Sequence, residues 1–388
     1  HVVTSRLDYT DPGTVYPARE VHHGVTIHRL WSTRFGRRSL AGRLLDYLSI
    51  YLSFFAFLLR HPRAADTVVV KTDPPLLSVP GAVAQALVGF RMVAWCQDLF
   101  PEVAVAVLHP GRIGRGFLSL VAELRDASLR AAECVVVLGS DMEAFLRARG
   151  LPGHALAAIP NWSVQDERGP AEPTPEALRA EWGIAPEALV IGYSGNLGRA
   201  HDWETLLGAA RLLGHAEDLR FLVCGGGHGY ARLEAAVREA GLAERFVFQP
   251  YQPIERLAAS LQVPDLHWFS LMEAMTPFIF PSKFAGILQA GRPVLFIGAT
   301  GSGLARRIRE ERLGGVVAPG QSTALAAIIE GYRGDRPALA DAGARARRVW
   351  EGHYRKAVGV ARWETLLGTG SCINGFQSTP ESSKDRDY

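Results

Sequence analysis

Short apolar runs alternate with amphipathic stretches of helical length along this chain, and they do so twice. In the first half the strand-like runs are Thr67–Val70, Arg91–Cys96, Cys134–Leu138 and Ala155–Ile159, separated by helical stretches at Leu40–Arg60, Pro75–Val88, Gly116–Ala131 and Asp141–Arg149. In the second half they are Leu189–Tyr193, Leu219–Cys224, Phe246–Phe248, Leu266–Ser270 and Pro293–Phe296, with helical stretches at Trp203–Leu213, Tyr230–Ala240, Ile254–Leu261, Ser282–Ala290 and Gly303–Glu311. Apolar strands that take turns with helices predict parallel sheets covered on both faces. Such sheets bind ligands in a crevice at the carboxyl ends of their strands. The reading is therefore α/β with two Rossmann-like domains, 1–164 and 181–340. A Pro-, Glu- and Gly-rich span from Gln165 to Pro175 opens the linker, assigned to 165–180. Residues 341–367 read as closing helices with Tyr354 and Trp363 on apolar stripes, and 368–388 as a polar, aperiodic and disordered tail.

The 388 residues suffice for two domains, and the net charge of +3 is close to neutral for that length. Arginines interleave with acids, as at Arg306-Arg307-Ile308-Arg309-Glu310-Glu311-Arg312, which describes a solvated helix face rather than a nucleic-acid stripe. The four cysteines, Cys96, Cys134, Cys224 and Cys372, lack metal-ligand spacing. Three lie in apolar runs and read as buried free thiols of a reducing compartment. The opening His1–Ser5 is already strand-like and does not read as a secretory leader, which suggests a truncated N-terminus. Leu44–Leu59 is strongly apolar but short for a bilayer span and interrupted by Asp46, Ser49 and Ser53. It reads either as a core helix or as a helix lying on a membrane surface, flanked by Arg37, Arg38, Arg43, Arg60 and Arg63.

Three strand ends of the second half carry chemistry-bearing residues. Lys283, the only lysine between Lys71 and Lys356, stands with Ser282 at the mouth of a predicted helix. There free N–H groups, the helix dipole and a point charge suit a phosphate; the alternative is a surface lysine. Val190–Trp203 runs from an apolar strand through Gly195-Asn196-Leu197-Gly198-Arg199 to a helix that Asp202 caps, and Arg199 can grip an anion bidentately. Gly225 and Gly226 end another strand, where small residues leave room for a base or a sugar, and Tyr251 could wall a nucleobase pocket. In the first half Asp98 ends a strand in Gln97-Asp98-Leu99-Phe100-Pro101-Glu102 and is the general-base or acceptor-orienting candidate. His22 and His23 fall in a loop without evident partners.

These pieces in this order resemble the GT-B glycosyltransferases of the large retaining family 4, within it the bacterial subgroup that builds O-antigen, capsule and colanic-acid polysaccharides (fucosaminyltransferase-like enzymes). The resemblance runs from His1 to about Leu367. It rests on Tyr193–Asp202, Pro281–Lys283 with Arg292–Gly298, Asp98–Glu102 and Ile159-Pro160-Asn161-Trp162. It implies a nucleotide-diphospho-sugar donor, a UDP-sugar, held by the second domain as co-substrate, with no cofactor and no metal. Gly195, Asn196, Gly198, Arg199, Ser282 and Lys283 would meet the diphosphate. Gly225, Gly226, Tyr251 and Gly286 would line the nucleobase and ribose pocket. Asp98 and Glu273 are the catalytic candidates, and Glu102 belongs to the acceptor side. A C-terminal helix would cross back to the first domain. The implied setting is cytoplasmic, at the inner membrane face, with a lipid-linked or glycan acceptor, possible peripheral membrane contact and no nucleic-acid partner.

The chain departs from that family in three places. Gly286 occupies the position of a glutamate that holds the donor ribose in the wider family, so ribose recognition differs here. Thr276-Pro277 replaces a Glu-Gly pair, with Glu273 the nearby substitute. A strand, glycine-rich turn and helix that normally precede the His1–Ser5 strand do not appear. Two other readings stay open: a nucleotide-sugar 2-epimerase of the same fold, for which Asp98, Glu102 and Glu273 would be the acid/base residues, and an inactive sugar-nucleotide-binding remnant.

Overall fold

The computed structural model describes residues 1–8, 13–36, 40–163 and 173–369. The disordered-tail expectation lies outside these residues from position 370 onward. Three sheets organise the chain. The first pairs β1 (Val2–Ser5) in parallel with β3 (Val25–Leu30), and β3 in antiparallel with β2 (Arg19–His22). The β2–β3 hairpin closes through His23 and Gly24, with φ of 46° and 81°. Two left-handed residues are what a two-residue hairpin turn requires; His23 is the first of them, while His22 ends β2 rather than lying in a loop. The second sheet is all parallel, in the order β4 (Thr67–Lys71), β5 (Arg91–Trp95), β6 (Cys134–Val137), β7 (Leu156–Ala158).

The third sheet is also all parallel: β10 (Phe246–Gln249), β9 (Leu219–Gly226), β8 (Leu189–Asn196), β11 (Leu266–Ser270), β12 (Val294–Ile297), β13 (Gly314–Val317). Its chain order reverses between β8 and β11. At such a switch point adjacent crossovers leave in opposite directions and open a crevice beyond the strand ends. The strands are apolar throughout because helices cover both faces; Leu189, Ile191, Phe221, Leu266 and Leu295 are buried among helix side chains of the same core. The structure thus has the α/β architecture of two parallel-sheet domains facing a cleft.

Three expectations change. Helix Pro175–Glu181 occupies part of the span assigned to the linker. Thr174 accepts a hydrogen bond from the Ala177 N–H and Pro175 starts the first turn, which caps the helix. Leu178 and Trp182 then bury against Val190 and Leu222 of the second domain. Helix Glu102–Leu108 and strand β13 were not expected. Cys96 and Cys224 are buried free thiols whose pKa burial pushes up to about 12, but Cys134 is disulfide-bonded.

The chain leaves the first domain after Ser163 and returns at Tyr354–Arg355, between helices Arg336–His353 and Lys356–Thr369. The last helix packs on the second sheet: Trp363 and Leu366 join Val93, Val136 and Ile159 in one cluster, and Arg91 donates to the carbonyls of Leu366 and Leu367. Where the chain crosses, the Trp350 Nε1–H donates to Ser163 Oγ at 3.1 Å.

Candidate active site

The switch point places the end of β8 beside the end of β11. Gly195 has φ of 124° and lets the Lys283 side chain lie against the backbone, since a Cβ there would stand 3.0 Å from Lys283 Cε. The Lys283 ammonium rests over the Tyr193 ring at 5.1 Å, 3.4 Å from the Asn196 carbonyl oxygen and 3.4 Å from His201 Nε2. Burial lowers its pKa to about 8. The Tyr193 hydroxyl donates to the same Asn196 carbonyl, fixing the strand end.

From Asn196 the chain turns through Gly198 and exposed Arg199 into a loop held on the end of β11. The Met272 N–H donates to the Ala200 carbonyl, and the Asp202 N–H to Ser270 Oγ. The Asp202 carboxylate then accepts from the N–H and the hydroxyl of Thr205, capping the next helix as expected of it. Gly198, Arg199, His201, Trp203, Glu204, His228 and Arg232 line a cavity of about 430 Å³ with four cationic or ionisable nitrogen side chains around one carboxylate. The structure therefore brings Gly195, Asn196 and Lys283 into contact and sets Gly198 and Arg199 on the adjoining loop. Ser282 is exposed one residue before Lys283 and caps no N–H. His201 joins the two groups, and only its place within the motif had marked it beforehand.

Other candidates fare differently. Gly225 and Gly226 do not leave open room. A Cβ on Gly225 would lie 2.0 Å from the Gly195 carbonyl oxygen, and one on Gly226 would lie 2.9 Å from the Tyr251 ring. These glycines let β9 and its following loop close on β8 and on Tyr251. Gly286 is different: a Cβ there would meet only Leu261, at 3.7 Å. Glu273 lies exposed on a short turn directly after Met272 and pairs with no cation among the described residues. Glu102 is held in an ion pair. Arg125 holds both its oxygens at 2.8 Å and also binds Asp126, which Arg149 holds from the other side. A carboxylate with 15% side-chain exposure beside a buried guanidinium is best satisfied by that pairing.

The loop that carries Asp98 meets the second domain. The Leu99 N–H donates to the Phe278 carbonyl of the second domain at 3.0 Å, seating the Asp98 loop against the segment that leads to Lys283. Although the Asp98 side chain touches solvent, the protein packed around it raises its carboxyl pKa, and neighbouring Asp73 adds to the rise. Further along the cleft the Asp141 carboxylate accepts from the Gly303 N–H at 2.8 and 3.0 Å, one domain capping a helix of the other. Beside that contact lies a cavity of about 320 Å³ lined by both domains.

Two parallel-sheet domains, with Lys283 at the switch point of the third sheet and the Asp98 loop against the segment that leads to it, give the architecture of the GT-B fold. The comparisons with known proteins agree. Residues 1–162 match the glycosyl transferase 4-like domain, and residues 175–349 match the glycosyl transferases group 1 family. The chain is 30% identical over 323 residues to a 2-deoxystreptamine glucosyltransferase of Streptomyces kanamyceticus, covering 80% of each. It is 30% identical over 255 residues to a putative colanic acid biosynthesis glycosyl transferase, WcaI, of Escherichia coli (strain K12), covering 64% of this chain and 61% of that one. The fold superposes on that of Anabaena Alr3699/HepE, solved in complex with UDP-glucose, with a TM-score of 0.66 at 15% identity over 89% of this chain and 87% of that one. The chain belongs to the group 1 glycosyltransferases with a glycosyl transferase 4-like N-terminal domain.

Proposed function

We propose that the protein is a retaining glycosyltransferase that moves a sugar from a nucleotide-diphospho-sugar to a lipid-linked saccharide acceptor in cell-surface polysaccharide assembly. The observation that carries this reading is the Lys283 ammonium lodged at the switch point, with Arg199 on the adjoining loop. As the glycosidic bond breaks, charge grows on the β-phosphate. Fixed cations stabilise it without reorganising, so this chain has the means to do so without a metal on the diphosphate. A structural neighbour solved with UDP-glucose supports a UDP-sugar, and the colanic-acid relative supports a polysaccharide product. Asp98 would orient or deprotonate the acceptor hydroxyl; in same-face attack the departing phosphate itself can take the proton.

The outer face of the first domain supports an acceptor at the cytoplasmic membrane face. Three adjacent helices expose apolar side chains there: Leu44, Leu48 and Leu52 on Leu40–Leu58, Val83 and Leu87 on Ser78–Val88, and Ile113, Phe117, Leu120 and Leu124 on Arg112–Ala131. Arg43, Arg60, Arg112 and Arg115 are exposed on or beside them. By length and composition residues 41–58 could cross a membrane, but Asp46 binds Thr33, Phe35 and Gly36 and ties that helix to its own domain. A face lying on anionic lipid fits better. A second reading, a cyclitol-type acceptor, is favoured by the aminoglycoside relative's 80% coverage.

The test is titration of nucleotide sugars into the native chain and into Lys283→Ala. The native chain should bind one of them, and the variant should lose about 2–5 kcal/mol, the loss typical when one partner of a desolvated charge pair is removed. Equal affinity in the two proteins rules the reading out.

A further inference from the structure

We infer that His201 is a positioning residue for Lys283: a neutral imidazole that receives one lysine N–H and thereby aims the ammonium at the donor diphosphate. The inference rests on the reading of Lys283 as a phosphate ligand.

The tautomer follows from the partners. His201 Nδ1 lies 2.6 Å from the Ser270 carbonyl oxygen, which can only accept, so Nδ1 carries the hydrogen. Nε2 then presents a lone pair, and 3.4 Å away stands an ammonium that can only donate. Burial first, and the Lys283 charge second, lower the His201 pKa to about 4, so the ring stays neutral near pH 7. A second lysine N–H is directed at the Asn196 carbonyl. One of the three remains for a ligand. Both protein contacts are long, as they often are before a ligand draws such groups together.

The support is built in. The His201 ring stands edge-on to Tyr193 at 6.0 Å, the same ring that lies under the ammonium. Ser270 is buried and anchors two successive residues, His201 through its carbonyl and Asp202 through its hydroxyl. The groups around Lys283 are therefore Tyr193 and the Asn196 carbonyl from β8 and His201 from the loop. Arg199, His228, Arg232 and Glu204 line the adjoining cavity. Among the described residues no carboxylate pairs with Lys283, so the neutral acceptor at 201 favours the charged lysine without cancelling its charge.

The experiment measures donor affinity by calorimetry from pH 6 to 10 in the native chain, His201→Phe, His201→Gln and Lys283→Ala, using the nucleotide sugar that the native chain binds. The native affinity should fall as pH rises past about 8, where Lys283 loses its proton. His201→Phe keeps a ring against Tyr193 but removes the acceptor. Binding should weaken roughly tenfold, in line with one hydrogen bond to a charged group, and the alkaline fall should move to lower pH. His201→Gln offers an amide oxygen in place of Nε2 and should recover most of both. An unmoved pH profile in His201→Phe, or equal losses in the Phe and Gln variants, overturns the positioning role. If Lys283→Ala binds as well as the native chain, the donor-site reading itself falls, which is a separate outcome. The native chain gives a further check: ¹⁵N imidazole shifts should show a protonated Nδ1 and a bare Nε2, and the opposite tautomer refutes the inference whatever the variants do.

Discussion

The two parallel sheets use their charges in opposite ways. In the first domain the buried charges satisfy one another: Arg125 grips Glu102 and Asp126, and Arg149 completes the chain. In the second, Lys283 sits at the switch point with a carbonyl, an aromatic ring and a neutral imidazole as neighbours and, among the described residues, no acid. A cation pair that is internally neutralised holds a fold together. A cation surrounded by uncharged acceptors remains available to an anion. On the proposed function, the first set of charges serves stability and the second serves donor binding.

The strongest way to break that division is Arg125→Ala. Glu102 and Asp126 would lose their buried partner, and stability should drop by about 3–5 kcal/mol, read as a lower midpoint in denaturant. Glu102→Gln sharpens the point: if its carboxylate served the acceptor, acceptor KM would rise while the midpoint stayed near native, opposite to the expected pattern.

Asp98→Asn comes next. If the carboxylate takes the acceptor proton, kcat should fall about 10²-fold with donor affinity intact; a fall of less than about tenfold reduces Asp98 to an orienting group. The raised Asp98 pKa fixes the sign of the pH dependence. The active carboxylate is lost as pH falls through a value above the usual aspartate range, so the acid limb of the native rate should sit there and vanish in the variant.

The legibility of these sites follows from how far apart their parts lie in the chain. Buried parallel strands such as Leu189–Asn196 are continuous apolar runs, hence plain in one dimension. β13 begins Gly314-Gly315 and hides. Those glycines exist because a Cβ at Gly314 would lie 1.9 Å from the Val294 carbonyl and one at Gly315 2.8 Å from Ile328. The β2–β3 hairpin hides for another reason: Arg19, Glu20 and His22 give it little apolar signal. Lys283 and Arg199 were readable as a helix mouth and a glycine turn. His201 was not, because its partners Ser270 and Lys283 are 69 and 82 residues away. The ion pair of Glu102 was hidden for the same reason, its guanidinium lying 23 residues downstream.

Two smaller effects complete the comparison. Arg112→Glu with Arg115→Glu on the first domain should each weaken flotation with phosphatidylserine vesicles by about 1 kcal/mol and leave donor affinity untouched. Equal flotation of native and variant chains would remove the lipid role of that face. On the second domain Gly286→Ala should stabilise helix Lys283–Gln289 by about 0.5–1 kcal/mol, since the added methyl meets Leu261 at ordinary contact distance. A loss of donor affinity in that variant would show instead that ribose needs the space.

The hydrogen bond from Trp350 to Ser163 has a consequence for how the cleft would open. The polypeptide passes between domains twice, and this contact fastens both passages to one post. Two hinges on one post permit a swing but little sliding. Two further hydrogen bonds join the domains, Gly303 N–H to the Asp141 carboxylate and Leu99 N–H to the Phe278 carbonyl, and any opening of the cleft has to break them. On the proposed function, release of the nucleotide would require those two contacts to open. Trp350→Phe should broaden the spread of distances between spin labels set across the cleft; an unchanged spread would mean that the post lies elsewhere.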